Sequence, residues 1–165
     1  RLIMLTANTK TFNIAGAHTG NVIINNPKLV AKFEIRMAAL GISPNSFGIH
    51  MATAGYSPES ANWLDDLMVY IKSNMDIFNK GVNKIPGCKA MPIQGTYLAW
   101  VDFSGTGMST TEVKDRIEKE AKITSNYGSD MGKGGETFLR FNIATPRSRV
   151  IEAVKRMQNA FKDLQ

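Results

Sequence analysis

Leu2-Ile3-Met4-Leu5 is a short run of consecutive apolar residues, the pattern of a buried strand, and a second apolar stretch lies between Ala17 and Asn25. Pro27 follows Asn25-Asn26 at what reads as the first position of a helix, and Leu29, Val30, Phe33, Ile35, Met37 and Leu40 recur at helical spacing up to Gly41. Residues 45–55 read as a further helix. Ser57-Pro58-Glu59 then places a cap and an N1 proline ahead of Trp63, Leu64, Leu67, Tyr70, Ile71, Phe78 and Val82, which predicts one long helix. Gly87 to Pro92 breaks that pattern. Residues 95–103, Gly-Thr-Tyr-Leu-Ala-Trp-Val-Asp-Phe, are rich in strand formers, and Ser109-Thr110-Thr111-Glu112 has the form of a capping box before Val113, Ile117 and Ala121. Phe138 to Ile143 predicts another strand, and Thr145-Pro146 is expected to cap a last helix carrying Val150, Ile151, Val154, Met157 and Phe161. The order is strand, strand, helix, a second helix, a long helix, then strand, helix, strand, helix: an α/β chain without repeats.

Composition narrows the class. At 165 residues and 18.2 kDa the chain can bury one sizeable core, and 43% hydrophobic with 21% charged residues excludes a disordered tract. No apolar run approaches the roughly 18 residues that cross a bilayer, so no membrane partner is expected. Cys88 is single, and His18 and His50 have no ligand spacing with it, which leaves no disulfide and no metal site and fits a reducing cytoplasm. The net charge of +6 raises nucleic acid as a partner, but the charge is diffuse. Residues 110–122, for instance, carry four charges of each sign, so it reads as a solvated surface.

Two candidate phosphate motifs fail. Gly128 to Lys133 has three residues between its glycines where a phosphate loop needs four, and Gly134 stands where a magnesium-binding hydroxyl belongs. Gly105-Thr106-Gly107 lacks the third glycine of a dinucleotide fingerprint and reads as a turn after a strand. Lys10 is different. It lies just past the first predicted strand among small and hydroxyl residues, Thr6-Ala7-Asn8-Thr9-Lys10-Thr11-Phe12-Asn13, where a lysine is either solvated or chemically used. Arg140 lies in an otherwise apolar strand, where its guanidinium needs either a structural ion pair or a ligand carboxylate that suits its bidentate fork.

Thr9-Lys10-Thr11-Phe12-Asn13-Ile14-Ala15-Gly16 resembles the Schiff-base lysine segment of pyridoxal-phosphate enzymes of the aminotransferase fold (fold type I, class I/II), most of all the cystathionine beta-lyase type C-S lyases. Trp63-Leu64-Asp65, Thr96-Tyr97-Leu98-Ala99-Trp100 and Phe138-Leu139-Arg140-Phe141-Asn142 extend the likeness in the same order along the chain. The resemblance implies pyridoxal 5'-phosphate as cofactor, Lys10 as the catalytic lysine that carries it and moves the substrate α proton, and Arg140 as the substrate carboxylate ligand. Many aminotransferases have a hydroxyl three residues before the lysine and an arginine eight after it; here those are Ala7 and His18. That leaves Thr9, with Thr6 or Asn8 behind it, for the cofactor phosphate.

By the same resemblance the complete subunit is more than twice this long and homodimeric. The chain is then expected to be the C-terminal part of such a fold: residues 1–41 the tail of the large domain, residues 42–165 the linker helices and the small α/β domain. The activity implied is cleavage of a cysteine S-conjugate to pyruvate, ammonia and a thiol, with an aminotransferase or a non-catalytic regulator domain as alternatives. The 165 residues alone are expected to be inactive. Leu2 to Leu5 and Val22 to Ile24, cut off from a larger sheet, are expected to be disordered, refolded against the small domain, or paired with another polypeptide.

Overall fold

A computed structural model describes residues 2–164. Arg1 and Gln165, the ends of the two expected segments, lie outside the described residues. The chain forms two compact units, with the division between Leu67 and Met68.

In the first unit, β1 (Ile3–Thr6) pairs antiparallel with β2 (Asn21–Ile24), Ile3 opposite Ile24 and Thr6 opposite Asn21. This corrects the expectation for these strands, which are ordered and find each other. Unmade backbone hydrogen bonds are costly, and an antiparallel ribbon closes one edge of each strand without any further chain. The α1 helix (Pro27–Ala39) starts as its sequence predicts, with Pro27 in the first turn and the Asn26 side chain accepting the Leu29 N–H at 3.2 Å. Gly41 follows its end at φ +61°, a conformation that favours glycine. In α2 (Ser46–Gly55) the cap is Asn45, which accepts from the Gly48 N–H at 2.7 Å and donates to the Ala17 carbonyl at 2.7 Å. The long α3 (Pro58–Val82) runs 25 residues and crosses the division between the units.

The second unit is a four-stranded antiparallel sheet in the order β3-β4-β6-β5, where β3 is Lys89–Ala90, β4 Leu98–Asp102, β5 Asn126–Tyr127 and β6 Phe138–Asn142. Burial alternates along β4 and β6, so Ala99, Val101, Leu139 and Phe141 face one way. They join the core with Phe78 and Val82 of α3, Val113 of α4 (Thr110–Asp115) and Val150, Val154 and Met157 of α5 (Arg147–Ala160). Half of the capping box forms: Ser109 Oγ accepts the Glu112 N–H at 3.2 Å, while the Glu112 carboxylate pairs with Arg116 at 3.4 Å. The helix then widens into a π turn over Arg116–Glu120, which keeps Ile117 and Ala121 fully buried. At α5 the expected Thr145-Pro146 cap forms through the Pro146 backbone alone, with no side-chain bond. Pro146 is its cap residue, its carbonyl accepting from Arg149 and Val150, and the Thr145 carbonyl is taken by the buried Asn74 side chain at 2.8 Å. Among the described residues no helix is long and apolar enough to cross a membrane.

Candidate functional site

β1 delivers the chain at Thr6 into a tight series of turns that carries Lys10. Three backbone bonds close it: Phe12 N–H to the Asn8 carbonyl (3.1 Å), Asn13 to Lys10 (3.3 Å) and Ile14 to Thr9 (2.8 Å). Asn13 at φ +54° and His18 at φ +46° take the left-handed conformation that lets so short a segment reverse. Asn8 is 5% exposed and its amide donates to the Ala52 carbonyl of α2 at 3.0 Å. Phe12 stacks on Trp63 of α3, with ring centroids 5.7 Å apart. Thr9 is half-buried and Lys10 is exposed. None of the ion pairs among the described residues involves Lys10, so no carboxylate holds its amine. Ala7 and His18 are both exposed on the same segment.

Arg140 belongs to the second unit. Phe138, Arg140 and Asn142 alternate with the buried Leu139 and Phe141, so they line the face of the sheet turned away from the core. Arg140 stands opposite Trp100 on β4 and Asn126 on β5. Its terminal nitrogen donates to Asn126 Oδ1 at 3.1 Å, and its Nε is buried with no partner. It too is absent from the ion pairs among the described residues. A guanidinium with a buried, unanswered donor is one that a carboxylate can satisfy. Beside it Trp100 and Phe138 stack at 5.1 Å and 10°. At the end of β4, burial pushes the Asp102 carboxyl up, but bonds from Ser104 and Thr137 and the charge of Lys89 outweigh it and hold the group below its ordinary range.

Asn126 was not singled out from the sequence, because a two-residue strand has no pattern. The glycine-rich segment rejected as a phosphate loop forms a short 3-10 turn, Gly128–Met131, between β5 and β6. A side chain on Gly128 would overlap the Gly135 carbonyl, and one on Gly135 would overlap the Gly128 carbonyl; these glycines close the hairpin that presents Arg140. Gly105-Thr106-Gly107 is indeed a turn after β4, with Gly107 at φ +71°. Cys88 is buried, and burial, aided by Asp102, pushes its thiol up to about 12, too high for a nucleophile at neutral pH. No group of three metal-ligating side chains occurs among the described residues.

No family model matches the chain. It is 33% identical over 156 residues to cystathionine beta-lyase PatB of Bacillus subtilis strain 168, covering 93% of this chain and 40% of that protein. Among solved structures it superposes on a PLP-bound putative aminotransferase from Clostridium difficile 630 with a TM-score of 0.90 at 35% identity, covering 96% of this chain and 41% of the other. Cystalysin from Treponema denticola, whose crystal contains pyridoxal 5'-phosphate, gives a TM-score of 0.89 at 35% identity over 99% of this chain and 42% of its own. The chain thus spans about two fifths of the length of the relatives it matches. It has part of the aminotransferase fold. Its homologues and structural neighbours are PLP-dependent proteins of that fold, and cystathionine beta-lyases are among them.

Proposed function

We propose that this chain is part of a longer PLP-dependent C-S beta-lyase that cleaves a cysteine S-conjugate to pyruvate, ammonia and a thiol. In that reading residues 1–41 are the tail of the large domain and residues 42–165 the linker helices and small domain of a cytoplasmic homodimer. The observation that carries the reading is the pair of cationic side chains, at the two positions the family likeness picks out, that are absent from the ion pairs among the described residues. Lys10 is exposed on a hydrogen-bonded turn, and among the described residues Arg140 has a buried Nε with no acceptor. The 33% identity to a cystathionine beta-lyase supports the lyase branch.

These residues fit the cofactor's chemistry: an unpaired amine meets an aldehyde, and the half-buried Thr9 hydroxyl beside it is a donor for phosphate. Ala7 and His18 offer neither a hydroxyl nor a guanidinium, so in this reading other phosphate donors come from elsewhere in the polypeptide, and the 165 residues alone are inactive. Pyridoxal 5'-phosphate, when bound, supplies an electron sink for charge developing at the substrate α carbon. Lys10 Nζ would hold the cofactor and, in its neutral form, would take the substrate α proton. Arg140 fixes the α-carboxylate through its fork and thereby orients the α C–H bond. An aminotransferase on the same scaffold is the second reading, favoured by the 35% identity to the Clostridium difficile protein.

Borohydride reduction of the loaded full-length polypeptide followed by peptide mapping is expected to mark Lys10; an adduct on another lysine overturns the reading. Arg140→Leu is expected to raise KM about 10- to 100-fold, the equivalent of one charge-assisted pair, with cofactor attachment intact. Pyruvate and thiol from an S-substituted cysteine identify the lyase, and amino transfer to a keto acid the alternative.

A further inference from the structure

We infer that Asn8 and Gly55 are positioning residues that set where the Lys10 amine stands; the inference rests on the reading of Lys10 given above. The segment from Asn8 to Ile14 is closed on itself by its three backbone hydrogen bonds, so it shifts as one piece. Its placement therefore depends on where it is fastened, and both fastenings converge on the last turn of α2. The first is the Asn8 amide, 5% exposed, donating to the Ala52 carbonyl at 3.0 Å. That carbonyl also accepts the Tyr56 N–H at 3.1 Å, so the helix does not need Asn8 for its own bond. The second is Phe12, whose ring lies against Gly55 and stacks on Trp63. A Cβ at position 55 would stand 2.5 Å from Asn8 Nδ2 and 2.9 Å from Phe12 Cδ2, closer than non-bonded atoms tolerate. One missing methyl group in α2 thus makes room for both fastenings, two residues before and two after Lys10.

Gly55 is the last residue of α2 and its φ is not positive, so alanine suits its backbone and the whole effect of Gly55→Ala falls on Asn8 and Phe12. Asn8→Leu keeps the branching of the side chain, with some added bulk, and removes the donor. Neither substitution alters Lys10 or introduces a charge near it.

The test uses the full-length polypeptide loaded with pyridoxal 5'-phosphate, with two readouts besides activity: the lysine marked by borohydride, and the pH midpoint of the cofactor's visible absorption band. Gly55→Ala and Asn8→Leu are each expected to move the midpoint by about half to one pH unit, the size of one misplaced hydrogen bond, while the adduct still maps to Lys10. Val154→Ala, a core truncation in the second unit, serves as the control for general destabilisation and is expected to leave the midpoint in place. An adduct on Lys10 with both midpoints within about 0.2 pH unit of the parent overturns the inference and leaves the function standing. An adduct on another lysine overturns the function and the inference with it. Should Gly55→Ala fail to fold, Asn8→Leu, which keeps the side chain's branching, decides; loss of attachment in a variant that circular dichroism shows to be folded supports the inference as a shift does.

Discussion

Leu139 of β6 is 2% exposed and Leu5 of β1 is 75% exposed, although both sit in strands that read as apolar. β6 lies inside a four-stranded sheet whose inner face is covered by three helices. β1 has one partner, β2, and its neighbours Leu2, Ile3 and Met4 are 72%, 51% and 48% exposed. Every buried apolar side chain among the described residues except Ala17 belongs to the second unit. A two-stranded ribbon is marginal in water, and exposed apolar residues in such numbers mark a surface that other protein covers. The contrast teaches that hydrophobic patterning names the residues that want burial, while the amount of surrounding chain decides which of them obtain it. It supports the proposal of a longer polypeptide.

The largest expected difference comes from making one substitution in both units. In the 165-residue chain Leu139→Ala is expected to cost about 2–5 kcal/mol by urea denaturation, the range for a buried leucine that leaves a cavity. Leu5→Ala should stay within about 0.5 kcal/mol, as for other exposed positions. Repeating Leu5→Ala in the full-length polypeptide sharpens the comparison. A cost approaching that of Leu139→Ala there shows the ribbon covered, and no change shows it bare.

The same contrast explains how far the sequence could be read. α1, α3, β4 and β6 were legible because their periodic stretches are long enough to average over single residues. β3 and β5 have two residues each and exist only because β4 and β6 offer edges to pair with, a property of the sheet and not of their own side chains. The π turn after α4 has no local signature. The partnering of β1 with β2 was missed because resemblance assigned both to a larger sheet. Of the candidate residues, Lys10, Thr9 and Arg140 were visible as motifs. Asn126 and the contacts among Asn8, Phe12 and Gly55 were not, since Asn8 and its partner Ala52 lie 44 positions apart and meet only through the fold.

Glycine packing gives a smaller effect with the same asymmetry. A Cβ on Gly81 in α3 would overlap Val154 Cγ1 of α5, whereas one on Gly16 meets nothing within 4 Å. Alanine in a helix interior is ordinarily favoured over glycine by about 1 kcal/mol. Gly81→Ala is nonetheless expected to destabilise the second unit, since overpacking costs about 1–3 kcal/mol, and Gly16→Ala to leave stability within about 0.5 kcal/mol. Thermal unfolding followed by circular dichroism checks both.

The smallest expected effect is electrostatic, and the two tryptophans, one per unit, allow it to be located. Asp102 lies two residues from Trp100 on the outer face of β4, and its carboxyl titrates below the ordinary aspartate value in the folded chain. A carboxyl with a depressed folded-state pKa adds stability above the unfolded-state value, near pH 4, and that stability is lost as pH falls through the folded-state value. With Trp63→Phe, which leaves Trp100 as the only reporter, the second unit should therefore hold a constant urea midpoint above about pH 5 and lose part of it below about pH 4. Asp102→Asn should flatten that acid limb and lower the plateau by less than about 1 kcal/mol, because water screens a half-exposed carboxylate and an amide oxygen in the place of Oδ1 still accepts the Ser104 N–H and the Thr137 hydroxyl. An unchanged acid limb in the variant would place the titrating group elsewhere, at Asp163 or Glu152, which their bonds to Arg116 and Arg156 also hold below the ordinary range.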